Sequence, residues 1–408
     1  MMTSKYDIVF DQNPHGVFYA GQTITGRVEI DLAEVKTVSG VYLHFKGYSE
    51  VNFTEDVGTG ENGRTVHYTG HEDYIDIRTY LVGSNHGQPI ELKPGHHTFP
   101  FSYSLPYTLA TSIEGKWGFV RYTAKVVLER PWGDDNTYVQ PFTVLRHLDF
   151  NQHNPDIYRP ITVKKTKVFC CGPCRSDPMF IVAEIPISGY VPGQTVAIKY
   201  DIFNQSDNSI EYFEATLVRT DSYKCEYPRT KEKSVDTKVA TIKTDGAGPL
   251  QNVIIEQFLK IPSLPPTTLT SNLISITYAI SINVEVSGWG INPQIYMPIT
   301  IGTVPLSNTA IPGYCSVPNE TNEAAPVVEQ PKPSAPEIPS APPLFPEELP
   351  PPSYEEAIHA TPVNLQDEGQ IPGIGWAPKY TVYQFGDPGP SGSGTNPTRR
   401  IDFAMPKQ

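Results

Sequence analysis

Cysteine is scarce in this chain: Cys170, Cys171, Cys174, Cys225 and Cys315 are all there is, three of them clustered and none in a regular framework. That excludes a disulfide-stapled secreted scaffold and suits a reducing compartment. Long apolar runs are missing too. No stretch approaches the roughly eighteen residues of a membrane span, and the opening Met1-Met2-Thr3-Ser4-Lys5-Tyr6-Asp7 has no secretory apolar region. A cytoplasmic protein that touches membranes only peripherally is expected, which makes the sequon at Asn52-Phe53-Thr54 coincidental. Positive charge is in deficit, with a net charge of −13, so a nucleic-acid surface is not expected. GxSxG, HExxH, a phosphate-cradling glycine loop and a convincing acid–base pair are all absent. The expectation is therefore no enzyme, no cofactor and no metal.

Helical periodicity is also lacking, and alternation stands in its place. Ile24, Gly26, Val28, Ile30 and Leu32 fall on one face of a half-buried strand, with Thr25, Arg27, Glu29 and Asp31 on the other. Val41, Leu43 and Phe45 repeat the pattern, followed by Phe99 to Pro106, Phe119 to Leu128 and Tyr138 to Leu145. Short strands punctuated by Gly, Pro and Asn predict an all-β sandwich. The pattern then recurs: Gly21-Gln22-Thr23-Ile24 returns as Gly193-Gln194-Thr195-Val196, Gly40 to His44 as Ala215 to Arg219, and Pro141 to Val144 as Pro298 to Ile301. Two similar immunoglobulin-type sandwiches in tandem are expected, at 5–150 and 168–305, joined by a linker at 151–167.

From residue 306 the composition changes. Residues 306–408 hold 20 of the 41 prolines, with scattered apolar residues and no sustained period. Such a tail buries too little apolar area to offset its ordering entropy and is expected to be disordered. It carries Pro350-Pro351-Pro352-Ser353-Tyr354, a PPxY motif. Consecutive prolines favour polyproline II, which loses little entropy on binding, so Pro351 and Pro352 would pack between the aromatic rings of a WW groove and Tyr354 would fill the next pocket. A proline-rich spacer that happens to contain a tyrosine is the competing reading. Pro378 and Tyr380, in Ala377-Pro378-Lys379-Tyr380, form a candidate second WW site lacking the first proline. Pro333-Ser334-Ala335-Pro336 and Pro339-Ser340-Ala341-Pro342 both spell PSAP, similar to the motif read by the ubiquitin-variant domain of the ESCRT machinery.

Cys171-Gly172-Pro173-Cys174 has the letters of a thioredoxin site but follows a basic strand, Val163 to Phe169, with no helix to lower a thiol pKa. A bend entering the second sandwich competes with a redox role. Lys164, Lys165 and Lys167 are candidates for phosphate or acidic-lipid contact, against a solvated strand face.

The ordered series Gly40 to Gly47, Phe99-Pro100-Phe101, Ser112 to Gly115, Arg121-Tyr122 and Arg130-Pro131-Trp132 resembles an amino-terminal arrestin domain, and Pro186 to Gln194 opens a segment resembling the carboxy-terminal one. With the PPxY tail, the chain resembles an α-arrestin, related to the thioredoxin-interacting protein. The resemblance implies two arrestin-like sandwiches that bind membrane receptors or transporters as cargo. It also implies recruitment of WW-domain HECT ubiquitin ligases through Pro351, Pro352 and Tyr354, at the plasma membrane and endosomes. A trafficking scaffold without a ligase is the alternative, and a thiol redox protein a further one. The loop Thr244-Asp245-Gly246-Ala247-Gly248 lacks the cysteine with which the thioredoxin-binding relative pairs, so that partner is not carried over.

Overall fold

The structure is a computed structural model and describes residues 4–306, apart from 12, 59–62, 86, 154, 170–176, 269–272 and 289, together with 353–356, 375–385 and 398–402. The first sandwich faces a three-stranded sheet, Lys5–Phe10, Thr23–Leu32 and Gly95–Ser104, against a larger one. The larger sheet orders Val17–Tyr19, Asn136–Leu145, Gly118–Glu129, Gly40–Val57 and Arg64–Gly83, with Ile113–Glu114 beside Gly118–Glu129. The alternating set predicted for Thr23–Leu32 is the buried one: Ile24, Gly26, Val28, Ile30 and Leu32 all point inward. Gly26 is required there, because a Cβ would lie 2.4 Å from the Val9 carbonyl oxygen and 2.7 Å from the Phe101 ring. Pro100 is tolerated because its strand is at the sheet edge.

The second sandwich repeats this plan. One sheet orders Ile161–Lys167, Met179–Ile185, Thr195–Asn204 and Asn252–Lys260; the other orders Gly189–Tyr190, Gln294–Ile301, Ile274–Val286, Ile210–Cys225 and Lys231–Asp245. The repeated Gly-Gln-Thr has a physical cause. Gln22 Oε1 accepts a 2.9 Å hydrogen bond from the Tyr19 amide, and Gln194 Oε1 accepts one of 2.9 Å from Val191. Each glutamine closes its own turn, and Gly21 and Gly193 supply the positive φ, +87° and +94°. A short strand runs parallel to the closing strand in each half, Val17–Tyr19 on Thr143–Leu145 and Gly189–Tyr190 on Thr300–Ile301.

Two expectations change. Ile161–Lys167, assigned to the linker at 151–167, pairs residue for residue with Met179–Ile185 and is an edge strand of the second sandwich. Its lysine-rich face is the solvated side of that edge, with Lys164 and Lys165 exposed. The described parts of the tail are also not structureless. Ser353–Glu356 pairs antiparallel with Lys379–Val382, and Thr398–Asp402 pairs with Val253–Gln257 at the edge of the second sandwich. The rest of the tail, both PSAP copies included, lies outside the described residues.

Most of the buried apolar side chains of both sandwiches form one continuous cluster. Hydrogen bonds cross the seam on both sides. Next to the short helix Phe150–His153, Leu148 donates to Thr303 Oγ1 at 2.8 Å and Thr303 returns a bond to the Leu148 carbonyl at 3.0 Å. Across the molecule, Thr69 donates to the Tyr227 carbonyl at 2.9 Å, and the Lys116 amide donates to Tyr223 Oη at 2.9 Å.

Candidate tail-docking cleft and the PPxY tyrosine

The segment Lys379-Tyr380-Thr381-Val382-Tyr383 is rich in β-branched and aromatic residues, the composition of a strand. It lies in the seam as one. Val17, Tyr19 and Leu145, all buried, wall an apolar cleft on the first sandwich, and Tyr380 fills it at 2% exposure. The Tyr380 hydroxyl donates to the Ser112 carbonyl at 2.9 Å, which satisfies the one polar atom that burial would otherwise strand. Tyr19 Oη and Thr381 Oγ1 are 2.9 Å apart, and the Lys379 amide donates to Thr143 Oγ1 at 3.2 Å. On the second sandwich, the Tyr383 amide donates to the Pro192 carbonyl at 3.0 Å and its hydroxyl to Thr303 at 2.8 Å. Gly193 is open for that reason as well: a Cβ there would meet the Tyr383 carbonyl oxygen at 1.9 Å.

The PPxY tyrosine rides on this strand. In the hairpin register Tyr354 faces Thr381 and Glu355 faces Tyr380. Tyr354 is half-buried against the Val17, Tyr19, Leu145 and Tyr380 cluster, 5.6 Å from the His15 ring, and Ser263 Oγ donates to the Glu355 carbonyl at 3.0 Å. Ser353 stays exposed.

Beneath the cleft sits an ion pair. Arg219 and Asp221 lie two residues apart on the inward face of Ile210–Cys225, 8% and 5% exposed, with Nε donating to Oδ1 at 2.5 Å. Tyr380 is within the electrostatic reach of Arg219; burial pushes its phenol well above the ordinary range, and the guanidinium partly opposes that. Beside the pair opens a crevice of about 530 Å³ between the sandwiches, lined among others by Glu114, Trp117, Arg121 and Asp221. Arg121 is already engaged by Glu114 in a bidentate pair at 2.6 and 2.9 Å. With both arginines paired to carboxylates, the crevice offers little net charge to an anion.

The sequence-derived candidates divide accordingly. Tyr354 is present and partly covered. Pro378 and Tyr380 are buried, and in this arrangement burial and the Ser112 bond make Tyr380 a docking residue, closed to a groove on another protein. Pro351, Pro352, both PSAP segments (Pro333 to Pro336 and Pro339 to Pro342), Cys171 and Cys174 lie outside the described residues. Lys167 donates to the Ile291 carbonyl at 2.8 Å, leaving Lys164 and Lys165 free on the strand face among the described residues. Cys225 is buried and its thiol is pushed up to about 11 by that burial, far from a reactive thiolate. Thr381, Tyr383, Arg219 and Asp221 were not foreseen; the strand-former run after Pro378 was the available signal for the first two.

His147 stacks on Tyr19 at 4.3 Å, and desolvation lowers its pKa from the ordinary 6.5, opposed by Asp149. A histidine depressed in the folded state favours folding while neutral. Its contribution is complete above the unfolded value and is lost as pH falls through the lower folded one. As pH falls below about 6.5 the melting temperature of the chain should therefore fall more steeply than that of His147→Gln; parallel curves would contradict it.

Among the described residues no helix is long and apolar enough to cross a membrane. The Arrestin (or S-antigen) N-terminal domain family matches residues 6–151 and the corresponding C-terminal domain family residues 175–306. Arrestin domain-containing protein 17 of Caenorhabditis elegans is 30% identical, covering 79% of this chain and 76% of that protein. Arrestin domain-containing protein 4 of Mus musculus is 27% identical over 74% and 72%, and the thioredoxin-interacting protein of Rattus norvegicus 26% over 73% and 74%. Two tandem sandwiches with repeated turns and matches to both arrestin domains make this chain a member of the arrestin-domain family, an α-arrestin.

Proposed function

We propose that this α-arrestin is an adaptor that brings membrane-protein cargo to a ubiquitin ligase. The arrestin sandwiches engage the cytosolic parts of receptors or transporters, and Pro351, Pro352 and Tyr354 recruit HECT ligases that carry WW domains. Ubiquitylated cargo is then internalised and sorted at endosomes. The PSAP copies at Pro333 to Pro336 and Pro339 to Pro342 offer contacts to the ESCRT ubiquitin-variant domain along the same route. The observation that carries this reading is the complete PPxY motif on the same chain as two arrestin sandwiches. A trafficking-adaptor role follows from the family; the ligase and the route are our extension. One relative's name records an interaction with thioredoxin, but Thr244 to Gly248 contains no cysteine here and we do not extend that partner to this chain.

Affinity capture from cell extract tests the reading. Tyr354→Ala should lose WW-domain ligases while retaining membrane-protein partners, because Tyr354 packs on the surface of the cleft and belongs to no sandwich core. Equal ligase recovery from both chains would refute recruitment through this motif.

A further inference from the structure

We infer that Tyr354 of the PPxY motif is latched in this conformation, and that release of the strand Lys379–Val382 from the interdomain cleft exposes it to a WW domain. The inference rests on the reading of Pro351, Pro352 and Tyr354 as a WW ligand. A WW groove needs the tyrosine ring in its own pocket and the adjoining backbone free to lie along it. Here the ring packs on Val17, Tyr19, Leu145 and Tyr380, the Glu355 carbonyl accepts from Ser263, and Ser353 to Glu356 are paired along their length with Lys379 to Val382. The same atoms cannot serve both partners, so docking and ligase binding exclude one another.

The latch also reports on the arrangement of the sandwiches. Its strand is held by Ser112 and Thr143 of the first sandwich and by Pro192 and Thr303 of the second, within a single segment of five residues from Lys379 to Tyr383. A rotation at the seam cannot preserve both sets of hydrogen bonds. Ligands that reorient the sandwiches would thus favour release, by their differential affinity for the open state.

Ligase affinity is reduced by the fraction of chains that are open. Two changes open the latch from opposite sides. Tyr380→Ala empties the cleft from the tail, and Gly193→Ala places a Cβ 1.9 Å from the Tyr383 carbonyl oxygen from the body. Titration of a purified WW domain of a HECT ligase into full-length chains should show each variant binding at least tenfold tighter than the native chain. A tenfold gain corresponds to about 1.4 kcal/mol. The gain should vanish in Tyr354→Ala with Tyr380→Ala, which shows that it runs through the PPxY tyrosine. If Tyr380 were instead a second WW contact, Tyr380→Ala would weaken binding, and that result, or unchanged affinity, overturns the latch. If no chain binds, including Tyr380→Ala, the ligase reading fails. Hydrogen exchange then decides the docking itself: amides of 353–356 protected in the native chain and unprotected in Tyr380→Ala support it, and unprotected amides in the native chain overturn it.

Discussion

Asp221→Ala should destabilise the two-sandwich body by about 3–5 kcal/mol, the cost of leaving a buried charge without its partner. At roughly 2–4 °C per kcal/mol for domains of this size, the melting temperature should drop by about 6–20 °C. Asp221 and Arg219 are both inward-facing and nearly inaccessible, and Arg219 Nη2 has no hydrogen-bond partner among the described residues, so Asp221 carries the neutralisation. Asp221 Oδ2 also accepts from the Tyr223 hydroxyl at 3.3 Å, and Tyr223 Oη accepts from the Lys116 amide of the first sandwich at 2.9 Å. Removing the carboxylate therefore loosens the seam as well as the ion pair. The apolar double replacement Arg219→Met with Asp221→Leu should recover most of the loss, since exchanging a buried pair for well-packed apolar groups is often neutral. A single-variant loss below about 1 kcal/mol, or a double variant worse than the single, would contradict this account.

Phe150→Ala should cost a similar amount, about 3–5 kcal/mol, through a different mechanism. Phe150 opens the short helix that follows the first sandwich, and its ring is 2% exposed. It sits where two glycines of the second sandwich leave room: a Cβ on Gly302 would fall 2.6 Å from the ring, and one on Gly189 3.2 Å from it. Truncation leaves a cavity at the joint itself. The sandwiches should then melt in two calorimetric transitions where the native chain should melt in one, because the shared core that couples them has been cut. Gly302→Ala should act in the same direction by expelling the ring. A single, merely shifted transition in both variants would show that the joint does not couple the sandwiches.

Much of the architecture is readable from residue order because a strand writes its burial at period two. Ile24 to Leu32 and Val196 to Ile202 are alternating in sequence and alternating in burial. The repeated Gly-Gln-Thr was legible because each turn needs the same positive-φ glycine and the same glutamine acceptor. Ile161–Lys167 was misplaced because an edge strand with one solvated face has few apolar residues to announce its sheet. The Arg219 and Asp221 pair was invisible because period two assigns a face without saying whether charge on that face will be buried. The cleft was missed for a related reason. Tyr380 finds Ser112 and Thr381 finds Tyr19 across more than two hundred residues of chain, and no local pattern encodes partners at that distance. Within the tail, linear-motif spelling points at Tyr354, while Pro378 and Tyr380, spelled as a second motif, also stand at the head of a run of strand formers.

In the proposed function Tyr354 makes this arrestin-fold chain a ligand for WW-domain ligases. Calorimetric titration of a HECT-ligase WW domain with a synthetic peptide spanning residues 346–360 tests it most directly, since the peptide is free of the cleft. Binding at about micromolar strength, roughly −8 kcal/mol, abolished by Tyr354→Ala, is the expected result. Absence of binding by the native peptide, or equal binding by both, would contradict it.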